Sequence, residues 1–153
     1  MGIREENREV LDAVRIRRDD LYEAILGLER ALAVPAGDAP DAWGEVLAAP
    51  IARLVEVLDA HVDGTEGPGG LFDQIRDDAP HLLSVVERLR AEHDPLEVAA
   101  STLATHAAAV TTDAEVDDVR DEALDLVRRL LEHRHHGAEL LFDAYHVDVS
   151  SGD

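Results

Sequence analysis

Four times along this chain the apolar positions recur at intervals of three, four and seven residues, the period of a helix with one buried stripe. The first such pattern runs from about Glu5 to Ala33, through Val10, Val14, Leu21, Ile25, Leu28 and Leu32. VPAGDAPD (34–41) ends it with two prolines and a glycine, and Asp41 is the expected N-cap of the next helix. That second helix carries Leu47, Ile51, Leu54, Leu58 and His61 on one seam. It is predicted to break at GTEGPGG, residues 64–70, where four glycines and a proline oppose regular helix. LFDQIRDD (71–78) reads as a further turn or two.

Pro80 suits the first turn of a third helix. Its seam is Leu82, Val86, Leu89, His93, Leu96, Ala100, Leu103, Ala107 and Val110, with a kink predicted at Pro95. TTDAE (111–115) is a turn and N-cap signal, after which Val119, Ala123, Leu126, Leu130, His133, Gly137 and Leu141 define the last helix. No segment shows strand alternation. Four long helices with short connections predict an all-α fold, an up-down-up-down four-helix bundle. It is expected as a single domain over residues 1–153, with a frayed tail from about residue 147.

Composition narrows the chemistry. A chain of 153 residues can bury a core without staples, and 46% of it is apolar while only 3% is aromatic. There is no cysteine, so any metal would be held by imidazole and carboxylate. Acidic residues number 34 against 14 basic ones, for a net charge of −20. Such a surface repels nucleic acid and anionic membranes, and neither is expected as a partner. No apolar run approaches the roughly 20 residues that span a bilayer. MGIREENREV lacks both a signal-peptide core and the Ser or Thr of a myristoylation signal, so the cytoplasm is the expected compartment. GxSxG, P-loop, GxGxxG and HExxH motifs are all missing, which leaves hydrolase and transferase readings without support.

The histidines then stand out. His61, His93 and His133 each interrupt an apolar seam. Each lies about 14 to 20 residues from the relevant helix ends, so antiparallel packing at roughly 1.5 Å per residue brings all three to one level. Arg18, between Val14 and Leu21 on the first stripe, points at the same layer. A buried guanidinium needs a carboxylate or several carbonyls, and Glu66 and Glu139 are the candidates. His135 and His136 lie off the seam and are expected to face water, although His135 and Glu139 have an i, i+4 spacing that could chelate. His81, His106 and His146 read as surface or end positions.

Over about residues 10–145 the chain resembles the hemerythrin-like (HHE cation-binding) family. The cues are DDLYEAILGLERALA, HVDGTEGPGGLF, RLRAEHDPLE and HRHHGAELLF on successive helices. The resemblance implies a bundle that holds iron, two atoms or one, on histidines and carboxylates, and binds or senses dioxygen, nitric oxide or peroxide. Imidazole and carboxylate suit non-heme iron because they leave open positions for a small ligand. Carried across, it makes His61, His93 and His133 metal ligands, with Glu66 and Glu139 as the carboxylates. Glu66 falls one place late, where Thr65 sits at the family's position. Gly137 and Ala138 stand where acids are expected near His133, and Arg18 stands where the family has its first histidine. The alternative is a metal-free member whose interior is an Arg–carboxylate–His network and which acts as a binding or interaction module.

Overall fold

The computed structural model describes residues 5–147. The tail expected from about residue 147 therefore lies almost wholly outside the described residues. The described chain is helical: α1 (Glu5–Leu32), α2 (Pro40–Glu66), α3 (Leu71–Asp78), a 3-10 turn (Pro80–Leu82), α4 (Leu83–Ala108) and α5 (Asp113–Tyr145). The four long helices pack together, α1 on α2, α2 on α4, α4 on α5 and α5 back on α1. No helix among the described residues is long and apolar enough to cross a membrane.

Local chemistry sets the ends. At α5 the Thr112 side chain accepts from Glu115 N, while Glu115 Oε1 accepts from the Thr111 and Thr112 hydroxyls. This exchange satisfies donors that a helix start otherwise leaves open. At α2 the expected cap is displaced. Ala39 occupies the cap position without a side-chain bond, Pro40 starts the helix, and Asp41 lies in the first turn. A carboxylate there still faces the positive end of the helix dipole.

The break after α2 is shorter than the glycines suggested. Gly64, Thr65 and Glu66 remain helical, and only residues 67–70 separate α2 from α3. Gly67 N bonds Asp63 O at 2.9 Å, which closes the last turn, and Gly69 takes a left-handed φ of 73°. Gly64 also lets α1 approach, since a Cβ there would lie 2.9 Å from Arg17 Nη1. The three extra helical residues matter because they carry Glu66 a full turn past His61.

The interior is two apolar clusters with a polar layer between them in sequence. One cluster takes Leu21 to Leu32 from α1, Trp43 to Leu58 from α2, Leu96 to Val110 from α4 and its helix end, and Val116 to Leu130 from α5. The other takes Leu11 and Val14, Leu71 to Ala79, Val86 and Leu89, and Ala138 to Leu141. Between the clusters on each long helix lie buried polar residues: Arg18 on α1, His61 and Thr65 on α2, His93 on α4, and His133 and Arg134 on α5. A polar layer inside a bundle costs stability unless its groups bond to each other or to a guest.

Candidate metal centre

The four long helices supply this layer, and each apolar seam positions its member by period alone. His61 stands three residues after Leu58, His93 four after Leu89, and His133 three after Leu130. All three are buried, with exposures of 9%, 1% and 3%. Their rings meet edge to face, with centroids 4.9 to 5.3 Å apart. One ring nitrogen from each lies within 4.8 Å of the others, the one such group of potential ligands among the described residues.

The outer faces of two rings are tied to carboxylates. His133 Nδ1 lies 2.6 Å from Glu92 Oε1, and His93 Nδ1 lies 2.5 Å from Glu66 Oε2. A neutral ring that donates Nδ1–H to a carboxylate presents Nε2 as a lone pair. Phe72 stacks on the His93 ring at 5.9 Å and holds its plane, while Arg90 lies over Phe72 and donates to Glu66 at 3.2 Å.

The inner nitrogens behave accordingly. His93 Nε2 is buried and meets no hydrogen-bond partner among the described residues. His61 Nε2 and His133 Nε2 face each other at 3.2 Å. That separation serves either an N–H···N bond or two lone pairs converging on a cation. Tetrahedral coordination with bonds of about 2.0–2.1 Å puts ligand nitrogens roughly 3.3 Å apart, so the pair already has the bite of a metal site. Carboxylate-backed imidazoles with inward Nε2 atoms are also the usual surroundings of metal-ligating histidines.

Electrostatics favours the same state. Burial, then the neighbouring His133 and His93 and the Arg18 and Arg17 guanidiniums, holds His61 well below the ordinary histidine range. Burial also lowers His133, against the opposing pull of its bond to Glu92. A neutral imidazole is the form that binds a metal.

The structure brings together His61, His93 and His133, with Glu66 as an outer partner of His93. It does not bring Glu139 to them. Six residues beyond His133, that side chain has turned about a third of a revolution away, and it pairs with His135 at 2.7 Å on an exposed face. Arg18 is buried in the layer as expected, while Glu66 pairs with His93 and Arg90, and Glu139 pairs with His135. Arg18 Nη1 donates to the Arg134 carbonyl at 3.0 Å, and Arg134 Nε returns a bond to the Arg18 carbonyl at 3.4 Å. Gly137 makes this close approach feasible, since a Cβ there would sit 3.0 Å from Arg18 Nη1.

Two residues escaped the sequence reading. Glu92 precedes His93, off the seam, yet reaches across from α4 to α5, where it also meets His136 at 3.1 Å. Arg134 lies midway between Leu130 and Ala138 at steps of four, a spacing that marked it as buried. Its guanidinium sits over the Tyr22 ring at 4.7 Å. Comparison with known proteins finds no matching family model, no matching curated protein and no matching solved structure.

Proposed function

We propose that this chain is a hemerythrin-like bundle that holds one divalent transition-metal ion, iron or zinc, on His61, His93 and His133, and binds or senses a small ligand beside it. The observation that carries the reading is the convergence of three buried imidazoles, two of them fixed by carboxylates with Nε2 turned inward. Three imidazoles suit zinc or iron and leave coordination positions open. Such an ion, when bound, supplies Lewis acidity and a place for a dioxygen-sized ligand. The protein's own part is to fix the rings, exclude bulk water and hold His61 and His133 below the ordinary histidine range by burial.

A single metal is favoured over two. Glu66 and Glu92 lie on the Nδ1 side of the rings, where they orient ligands and do not bridge metals. Arg18 occupies the first-helix position from which a second metal would draw a ligand, and its charge opposes one. An up-down-up-down path is part of the proposal. The two apolar clusters alternate in chain order from helix to helix, which supports antiparallel neighbours. Absence of a membrane-spanning helix among the described residues accords with a cytoplasmic protein.

Glu92→Gln is expected to weaken metal binding by about 10–100-fold, because the amide no longer fixes the His133 tautomer. Competition against a chromophoric chelator measures it, and an unchanged affinity would remove Glu92 from the site. Elemental analysis of the protein as purified tests the function, with one equivalent of iron or zinc per chain expected. Protein that neither retains nor takes up metal would favour the second reading, a metal-free interaction module. The reciprocal Arg18–Arg134 bonds in the same layer are the observation behind that reading.

A further inference from the structure

All three rings of the candidate centre are shut away from water, and the cavity beside them measures about 20 Å³. A water molecule needs about 10–15 Å³ on this measure, so the closed protein has room for one water-sized guest. An ion arriving from solvent brings several water ligands with it. It reaches the trio only when a wall gives way, and a ligand beside the bound ion needs the same movement.

Two walls come into question. Between α4 and α5 a surface groove reaches His133, but Glu92 spans it, bonded to His133 Nδ1 at 2.6 Å and to His136 Nδ1 at 3.1 Å. The other wall is α3, whose Leu71 and Phe72 line the cavity, with Phe72 stacked on the His93 ring. A helix on its own is marginal in water below about 12–15 residues, and α3 has eight. It is held by docking three buried side chains, Leu71, Phe72 and Ile75. Both of its ends are joints outside regular helix. Before it lies the turn over residues 67–70, with Gly69 in the left-handed region, and after it Ala79 leaves helical geometry ahead of Pro80. Short stretches of this kind absorb the backbone rotation of a moving segment.

We propose that α3 is a strap over the metal centre: the ion and its small ligand pass when α3 lifts, and a polar latch at its C-terminal end sets how often it does. This rests on the metal reading above. The latch is built on Asp78, the last residue of α3. Its Oδ2 accepts from Asn7 Nδ2 at 2.7 Å, in the first turn of α1, and from the Tyr145 hydroxyl at 3.0 Å, at the end of α5. Gln74 of α3 donates to the same hydroxyl at 3.1 Å. These bonds tie α3 to the first and last helices of the bundle. The carboxylate makes those to Asp78 charge-assisted, and none of the latch residues is a proposed ligand of the metal. Apolar docking seats the strap, and the latch raises the cost of lifting it.

Stopped-flow absorbance on the full chain follows cobalt(II) as it binds and as a chelator strips it, and hydrogen exchange follows α3 itself in the metal-free protein. Tyr145→Phe is expected to speed uptake and release alike, by about tenfold, the effect of losing one hydrogen bond to a charged group. The dissociation constant is expected to stay at its wild-type value, because a larger open population scales both rates together. Asp78→Ala is expected to act in the same direction and more strongly. The amides of α3 are expected to exchange faster than those of α2 and α4 in the wild type, and faster again in both variants, while α2 and α4 keep their protection. Cobalt rates unchanged in both variants, or a rise in exchange shared by all the helices, would overturn the strap and leave the metal reading intact. So would faster cobalt exchange in His136→Ala alone, which would place the door at the α4–α5 groove. Failure of the wild type to take up cobalt would overturn both.

Discussion

His93→Ala is expected to lower affinity for a divalent metal by more than a hundredfold. Losing an outer partner of a ligand costs about 10–100-fold, and this change removes a ligand itself. His93 is the most buried of the three, its Nδ1 is fixed on Glu66, and its Nε2 is the inward nitrogen with no other bond to make. Removing the ring also strips the stacking face from Phe72 and takes from Glu66 its imidazole partner, leaving the bond from Arg90. Titration with cobalt(II), read by its visible bands, measures the loss. His135→Ala and Glu139→Ala are the controls, since that pair sits on the solvent face at 66% and 62% exposure. Both controls should bind metal as the wild type does. Equal losses at His93 and His135 would show that the binding site is a surface chelate and not the buried trio.

Acid is expected to destabilise the metal-free protein as pH falls below about 6.5, the ordinary histidine value. In the unfolded chain His61 and His133 take up protons near that value. In the fold both are lowered, His61 strongly by burial and then by its positive neighbours, His133 chiefly by burial. Between the two values the unfolded state binds more protons, so stability rises with pH and is lost as pH drops. Above the unfolded value both states are neutral and the contribution is complete. Each histidine can remove up to about 1.4 kcal/mol per pH unit across its window, a tenfold change in the folding equilibrium. Urea unfolding at pH 7.5, 6.5 and 5.5 reads the slope. The double variant His61→Asn, His133→Asn should flatten it. A wild-type stability that is level over this range would contradict the account. Added metal should widen the pH dependence, because protons compete for the same nitrogens.

Much of the fold lay in the spacing of apolar residues. Leu21, Ile25 and Leu28, or Leu47, Ile51, Leu54 and Leu58, each repeat at helical steps, and all are buried. The three histidines were found the same way, because burial is a property of position on the stripe and ignores what the side chain is. Arg18 followed from its place between Val14 and Leu21. Other features depended on reach across the bundle. Glu92 lies beside His93 in sequence, about 100° around the helix, and only a long side chain meeting α5 brings it to His133. Glu139 failed for the opposite reason: nearness in sequence to His133 did not put it on the same face.

The turn after α2 shows where composition misleads. Glycine lowers helix propensity by about 1 kcal/mol relative to alanine, which argued for a break from residue 64. Packing overrode it. Gly64 gives room for Arg17, and the Thr65 hydroxyl donates back to the His61 and Val62 carbonyls at 3.0 and 3.1 Å. The helix therefore continues to Glu66, and that extension carries the carboxylate to His93. A site residue thus depended on a helix end that the sequence placed three residues too early.

X-ray absorption at the metal edge of the cobalt- or iron-loaded protein tests the convergence of three imidazoles on one ion most directly. The expected spectrum has imidazole nitrogens at roughly 2.0–2.1 Å, the outer-shell pattern of three rings, and no second metal. A metal–metal vector at about 3.5–4 Å, or a shell dominated by carboxylate oxygen with fewer than two rings, would contradict it.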